Sequence, residues 1–279
     1  MYTSSHLRKG VATAIAAAAI AALPDAALAQ SQSAWNANKW QYGVELYVYL
    51  PSIGGKLNVP LTGGGASGIS VDADTLLSSL EFAMMGMFEA HNGRWGVYTD
   101  LMYLNVGGSK SDTRDFAIGG GALPGTVTGD LELDLKGTIW TLAGEYRLVT
   151  DPAWTVDALA GARMFSVKPS LDWSVSTSLP GLPGRSGGAE VRQTKWDAIV
   201  GVKGRYAFGA SREWYVPFYA DVGAGGSDLT WQVAAGVGYN YGNWTFTALW
   251  RYLDYNFDDG DAIKDMNFNG PMLGVAYRW

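Results

Sequence analysis

The sequence predicts an all-β protein, an up-and-down antiparallel barrel of about ten strands that crosses a membrane, with eight and twelve strands as alternatives. Segments of alternating apolar and polar residues recur along the chain, and tight and long connections alternate between them. The last ten residues, 270–279, form one such segment and end on Trp279. Because successive side chains of a strand point to opposite faces, each segment has one apolar face and one small or charged face.

Composition agrees with this fold class. The chain has 279 residues, of which 37 are Gly, none is Cys and 16% are charged, and its mean hydropathy is near zero. That average is too polar for a bundle of membrane helices, but a barrel that segregates polar and apolar faces has such an average. The absence of Cys excludes disulfides, thiolate metal sites and a lipoprotein anchor. The net charge of −6 argues against nucleic acid as a partner.

The first 29 residues are predicted to be a cleaved secretory signal peptide. Arg8 and Lys9 precede an apolar run over residues 11–23, and Ala27-Leu28-Ala29 fits the small-residue cleavage pattern. Removal of two basic residues and one acidic residue moves the net charge from −6 to about −7. Residues 30–39 are then a loose periplasmic segment, and residues 40–279 are the barrel.

Ten strands are predicted from the alternation and from turn residues such as Asn92-Gly93, a strong hairpin signal. They cover Trp40–Leu50, Phe82–His91, Trp95–Leu104, Leu131–Leu148, Trp154–Lys168, Val191–Phe208, Trp214–Ala224, Leu229–Tyr241, Trp244–Tyr255 and Gly270–Trp279. The connections after the second, fourth, sixth and eighth strands are tight, which predicts periplasmic turns there and outer loops at the opposite end. The long connections are predicted at 51–80, at 106–129, at 176–188 and at 258–265. The first includes a helical turn, Asp74–Leu80, whose leucines could close the lumen.

Aromatic residues concentrate where strands meet the tight turns. Five Trp residues open strands there and predict an interfacial girdle at the lipid–water boundary: Trp40, Trp95, Trp154, Trp214 and Trp244. A soluble barrel has the same alternation, so the placement of these Trp residues decides for the membrane.

Charged residues occupy the face opposite the Trp residues and predict a charge-lined lumen. Seven acidic and six basic residues belong to this set: Glu45, Glu89, Asp100, Glu145, Arg147, Asp157, Arg163, Asp197, Lys203, Arg205, Asp221, Arg251 and Arg278. Ten strands lie nearer to the eight of a filled barrel than to the 16–18 of a porin, so we expect a lumen filled by paired charges. A narrow porin-like channel for small solutes is the alternative. Asp134 and Lys136 break the pattern, because they share the parity of Trp140; a bulge near Gly137 or a position beyond the lipid would explain them.

An enzyme is disfavoured. His91 is the only histidine outside the signal peptide, and the alternation places it at the tight-turn rim, where we expect it to face water rather than to act as a general base. No catalytic or metal-binding motif accompanies it. The acidic run Asp258–Asp261 lacks the spacing and the final Glu of an EF-hand loop. The sequence therefore predicts no cofactor.

Three stretches carry a resemblance to a known group: Gly93–Tyr98, Trp250–Tyr255 and Gly270–Trp279. With them the mature chain resembles small outer-membrane β-barrels of Gram-negative bacteria, the opacity-type surface antigens and barrels similar to the OmpA membrane domain. The resemblance implies the cell outer membrane as location, and Tyr277 and Trp279 as the ending that the barrel-assembly machinery recognises. It also implies contact with membrane lipids and lipopolysaccharide, and a role in adhesion, membrane integrity or small-solute passage. We therefore expect a structural or surface-exposed protein, whose loops could meet small solutes or extracellular ligands.

Overall fold

The computed structural model of the chain describes residues 39–57, 67–71, 80–118, 123–177, 185–190, 192–258, 260–261 and 263–279. The predicted signal peptide, residues 30–38 and the predicted helical turn up to residue 79 lie outside this part of the chain. No helix formed by the described residues is long and apolar enough to cross a membrane.

Thirteen β-strands make up the described part of the chain. They are β1 (Gln41–Tyr49), β2 (Ser52–Leu57), β3 (Ser67–Val71), β4 (Leu80–His91), β5 (Trp95–Ile118), β6 (Leu123–Thr150), β7 (Trp154–Thr177), β8 (Arg185–Glu190), β9 (Gln193–Phe208), β10 (Trp214–Gly225), β11 (Leu229–Tyr241), β12 (Trp244–Asn256) and β13 (Ile263–Arg278).

Ten of these strands form a closed antiparallel ring. Its order is β1, β4, β5, β6, β7, β9, β10, β11, β12 and β13, and pairing between β13 and β1 closes it. The predicted barrel of about ten strands is thereby confirmed. Within this ring every strand has a partner on both sides, which is the condition for a sheet to reside in lipid.

The remaining three strands lengthen the ring at the end opposite the tight turns. β2 follows β1 after the break at Leu50-Pro51 and pairs with the first half of β13, while β3 pairs with β2. β8 pairs with β7 beyond the region where β9 does. The break passes close to Gly270, where a Cβ atom would lie 2.3 Å from the carbonyl oxygen of Leu50. Only glycine fits that approach.

Short hairpins define one end of the barrel, named here the tight-turn end. Gly93 and Gly242 adopt positive φ angles of 90° and 58°, as two-residue hairpin loops require. Asn92 Oδ1 accepts hydrogen bonds from the backbone N–H groups of Arg94 and Trp95, at 3.0 and 2.8 Å. Such side-chain bonds fix the turns and thereby the register of the strands that follow.

Several predicted loops are strand in the structure. β5 and β6 pair without interruption from Trp95–Tyr146 to Ile118–Leu123, so the predicted loop 106–129 is wrong over most of its length. Similarly, β2 and β3 lie in the predicted connection 51–80, β8 in 176–188, and the start of β13 in 258–265. The composition of Gly, Ser and charge suggested loops, but cross-strand pairing prevails over weak local propensity. At 24 residues, β5 exceeds the 9–11 that span a bilayer and projects beyond it.

β6 carries a bulge at a place that the sequence did not indicate. The pairing of β6 with β5 and β7 runs through Gly137 without a shift, so the predicted bulge there is wrong. The register shift lies between Arg147 and Val149. Asp134 and Lys136 agree instead with the other explanation, a position beyond the lipid, because β6 continues past Trp140 for many residues.

Candidate functional site in the barrel lumen

The outer face of the ring is apolar. Large apolar side chains project outward on most strands and are 36–67% exposed, among them Val44, Leu46, Val48, Val200, Val222, Val233, Trp250, Leu273 and Val275. A continuous surface of this kind is unfavourable in water and favourable in contact with lipid chains.

A girdle of Trp–Tyr pairs rings the tight-turn end. Four of the five predicted Trp residues lie directly opposite a Tyr on the adjacent strand, with ring centroids 4.7–5.0 Å apart: Trp95–Tyr146, Trp154–Tyr206, Trp214–Tyr239 and Trp244–Tyr277. The fifth, Trp40, is 51% exposed and immediately precedes β1. Cross-strand aromatic pairs stabilise neighbouring strands, and the amphipathic rings suit the headgroup region of a bilayer.

A second aromatic girdle, which the sequence reading missed, lies toward the long-connection end. Trp140 and Trp196 meet edge to face at 5.8 Å, and Trp231 stacks on Tyr252 at 4.8 Å. On β9, Trp196 lies ten positions before Tyr206, which belongs to the girdle at the tight-turn end. Ten residues of a tilted strand span about 25 Å, the height of the apolar band in outer-membrane barrels.

All thirteen charged residues predicted for the lumen lie on the inward side of their strands, where they are buried or half-buried. The largest group is at the tight-turn half. Lys203 on β9 contacts Glu89 on β4 at 2.9 Å and Glu145 on β6 at 2.5 Å. Since β9 and β4 are four strands apart in a ring of ten, the Lys203–Glu89 ion pair crosses the lumen.

Two further ion pairs lie deeper in the lumen. Arg251 on β12 contacts Asp100 on β5 at 2.9 Å, and the Tyr47 hydroxyl donates to Asp100 at 2.6 Å. Arg163 donates through both terminal nitrogens to Asp221. Arg163 and Arg251 are 0–1% exposed. A buried guanidinium is stable only when its charge is compensated in this way.

The predicted exposure of His91 to water is wrong. The residue is fully buried on the lumen side of β4 instead of facing water. Its Nδ1 accepts a 2.7 Å hydrogen bond from the Gly93 backbone N–H, and its Nε2 lies 3.5 Å from Asp157, which also pairs with Arg147 at 2.5 Å. The turn at Gly93 folds back over the imidazole, and that local geometry is not visible in the alternation of residues.

Four of the thirteen residues lack ion pairs with the rest of the set. Glu45 accepts a 2.8 Å hydrogen bond from Thr247, and Asp197 accepts one of 2.7 Å from the Ser227 backbone. Arg205 lies 5.8 Å from the centre of the Tyr215 ring. Arg278 and Arg205 line a cavity of about 180 Å³ in the tight-turn half of the lumen, together with Glu45, Tyr215 and Thr247.

The other half of the lumen contains an apolar plug, which the sequence reading did not identify. It consists of sixteen buried residues: Tyr47, Tyr49, Ile53, Met85, Met102, Leu104, Ile139, Phe165, Val167, Leu253, Tyr255, Phe257, Ile263, Met266, Phe268 and Met272. Phe165 on β7 packs against Tyr255 on β12 at 4.6 Å and against Phe257 at 5.3 Å. β7 and β12 are four strands apart, so these rings also meet across the lumen.

The connection between β12 and β13 adds to the plug. The Ile263 backbone N–H donates to Gln193 at 3.1 Å, and Asp261 pairs with Lys195 at 2.9 Å. Both partners belong to β9, on the far side of the ring. The sequence contains a signal for the plug. Toward the outer ends of the strands, the apolar residues that form the plug have the same parity as the charged residues of the lumen.

A closed ring and an apolar outer belt bounded by two aromatic girdles define an outer-membrane β-barrel protein. No family model and no curated protein matches the chain. It is similar to the solved structure of Ail, the attachment invasion locus protein of Yersinia pestis, at 14% identity over 86% of this chain and 98% of that chain, with a TM-score of 0.31. It is also similar to the translocator domain of the autotransporter NalP from Neisseria meningitidis, at 15% identity over 88% and 90%, with a TM-score of 0.36. The values for a Pseudomonas aeruginosa FadL homologue are 10% identity over 87% and 90%, with a TM-score of 0.28. Likenesses this distant assign no role to the chain.

Proposed function

We propose that the chain is a structural or surface-exposed protein of the outer membrane with a closed, non-conducting lumen. The observation that carries this proposal is that side chains meet across the ring in two successive layers, the Lys203–Glu89 pair in one and the Phe165–Tyr255 pair in the other. A ring of ten strands is narrow enough for side chains to fill.

The two layers oppose conduction in different ways. Ion pairs in a poorly hydrated lumen hold each other in place, because separating them exposes an uncompensated charge to a low dielectric. The apolar plug consists mostly of side chains that offer no hydrogen bond to a permeating ion or its waters. The cavity of about 180 Å³, named here the vestibule, lies in the tight-turn half and extends to the plug residue Met272. The cavity is therefore more consistent with a lumen closed by the plug than with a narrow channel. A channel would require displacement of the plug.

The long strands support a surface role. β5 and β6 pair to Ile118–Leu123, far beyond the aromatic residues near Trp140, and β7 continues with β8 on its flank. These extensions lie at the end opposite the tight turns, which we assign to the cell exterior. There they would offer backbone and side chains to extracellular ligands and lipopolysaccharide. The girdles would contact membrane lipids, and Tyr277 and Trp279 would present the ending to the assembly machinery.

The surroundings of His91 support a role without catalysis. Since Nδ1 accepts the Gly93 N–H, the neutral ring carries its proton on Nε2, toward Asp157. Neither nitrogen then has a lone pair directed at the lumen cavity, as a general base requires. We propose that His91 fixes the turn and the Arg147–Asp157 pair.

Planar-bilayer recording of the refolded protein tests the closed lumen. We expect no stepwise conductance above the baseline, with a wide porin in the same bilayer as the positive control. Regular steps whose ion selectivity changes in an Arg251→Ala variant would establish the narrow channel instead.

A further inference from the structure

We propose that the vestibule at the tight-turn end binds a small oxyanion, a phosphate or carboxylate taken from the aqueous phase, between Arg205 and Arg278. Such a site would bind its anion whether or not the barrel conducts, and in either orientation of the barrel in the membrane.

Among the described residues, two of the cations in the vestibule lack an ion pair, although cations and carboxylates there are equal in number. Of the cations that line it, Arg147 pairs with Asp157, Lys203 pairs with Glu89 and Glu145, and Arg251 pairs with Asp100. In the part of the chain that the structure describes, Arg205 and Arg278 form no ion pair. Glu45 is the one acidic lining residue outside these pairs.

The nearest carboxylates attract the two arginines from beyond ion-pair distance: Glu89 interacts with both, and Glu45 interacts with Arg278. Arg278 is close enough to Glu45 and to Arg205 for electrostatic interaction, attractive with the first and repulsive with the second. Glu45 already accepts a hydrogen bond from Thr247. The extra carboxylate of the vestibule lies at Lys203, which has two acidic partners, so the charges balance in number. Arg205 and Arg278 nevertheless lack a direct ion pair with the residues that the structure describes, in a confined space where a charge without a close partner is costly.

Tyr215 contacts both guanidinium groups and thereby holds them near each other. Its ring is 3% exposed and lies so close to Gly238 that a Cβ atom there would approach the ring carbon Cζ to 2.2 Å. Arg205 lies over the ring face, and Arg278 interacts with the same tyrosine. Both guanidinium groups thus border the same water-accessible volume, with N–H donors suited to two oxygens of an oxyanion.

The size of the vestibule fits such a ligand. Its volume of about 180 Å³ exceeds that of a single phosphate group and leaves room for bridging waters. The strands separate it from the lipid, so we assign the anion to the aqueous phase and not to a lipid headgroup, which has the same phosphate chemistry.

The test measures thermal stability of the refolded protein in non-ionic micelles as inorganic phosphate is added at constant ionic strength, with chloride as the balancing anion. We expect a saturable rise in Tm with phosphate, because a ligand that binds only the folded state stabilises it. Arg205→Gln and Arg278→Gln should each raise the apparent Kd about tenfold or more. Arg94→Gln is the matched control, because Arg94 lies outside the barrel against Tyr146 and should leave the shift unchanged.

A Glu45→Gln variant provides a second test, because it should change the affinity for phosphate in the direction opposite to the arginine variants. Removal of the competing carboxylate should tighten phosphate binding, and this result cannot come from partial unfolding. Heat-modifiable migration on gels confirms that each variant is folded before titration. Equal shifts in wild type and both arginine variants, or equal shifts with chloride alone, would overturn the proposal. Stabilisation by phosphatidylglycerol in the micelles without any effect of free phosphate would also overturn it, in favour of a headgroup site.

Discussion

The backbone of Trp279 exchanges two hydrogen bonds of 3.0 Å with the backbone of Tyr42, and their rings stack at 5.9 Å. This pair joins the last residue of the chain to the first strand. It forms the outermost step of the β1–β13 ladder, which continues through Gly43–Arg278 and Val44–Tyr277. The C-terminal residue is therefore part of the closure of the ring.

Deletion of residues 277–279 is expected to prevent membrane insertion. It removes the last three steps of the ladder and leaves backbone groups of β1 and β12 unpaired in lipid, where each costs several kcal/mol. The truncated protein should accumulate as periplasmic, protease-sensitive material in cell fractionation. Trp279→Phe keeps both backbone bonds and an aromatic ring, so it should insert like wild type. A truncated protein that fractionates with the outer membrane and resists protease would contradict this role.

Arg163→Ala is expected to lower stability without opening a pore. The substitution leaves Asp221 buried without its counter-charge, at a cost of about 3–5 kcal/mol, and Arg251→Ala should act similarly on Asp100. Urea unfolding and bilayer conductance are measured on the same refolded preparations. Lys56→Ala is the control, because Lys56 pairs with Asp265 with 61% of its side chain exposed and should cost less than about 1 kcal/mol.

The same pair separates a filled lumen from a wet one. Replacing Arg163 and Asp221 together by Leu removes both charges, and most of the lost stability should return. In a wide, hydrated lumen the charges would be solvated, so Arg163→Ala would leave stability unchanged and alter ion selectivity instead.

Phe165→Ala tests the apolar plug. Phe165 is 1% exposed and contacts Tyr255 and Phe257, so its truncation leaves a cavity and should cost about 3–5 kcal/mol in urea unfolding. Val48→Ala removes an outward side chain that is 56% exposed; detergent fills the space, and the loss should be below about 1 kcal/mol. Equal losses at the two positions would indicate that the plug is not a packed core.

The alternation of residues was sufficient to predict which face of each strand points inward. On β12, Trp244 and Arg251 were assigned to opposite faces, and one is 44% exposed while the other is 1% exposed. The period of a strand is two residues, so parity assigns faces wherever no bulge intervenes. The shift between Arg147 and Val149 marks the limit of this reasoning, because a bulge has no strong sequence signature.

Parity could not establish what fills the inward face. Phe165 and Asp157 share a face of β7, but one belongs to the apolar plug and the other to the charge network. Which of them meets which partner depends on the stagger of strands around the ring, and this follows from closure and not from any local segment. The burial of His91 was missed for the same kind of reason, since it depends on how the Gly93 turn folds back.

Epitope tags should be accessible to antibody on intact cells when they are inserted in the long connections, predicted here at 109–128 and 176–188. Within the first range, the tag should be inserted between Ile118 and Leu123. β5 and β6 pair over the rest of this range, and an insertion within the paired strands would disturb the ladder. Tags at Asn92-Gly93 or Gly242-Asn243 should be labelled only after the outer membrane is permeabilised, because tight turns of such barrels face the periplasm. All four tagged proteins must first migrate as folded species, so that labelling reports topology alone. Labelling of the Asn92-Gly93 tag on intact cells, with none between Ile118 and Leu123, would invert the orientation and place the arginine vestibule at the cell surface.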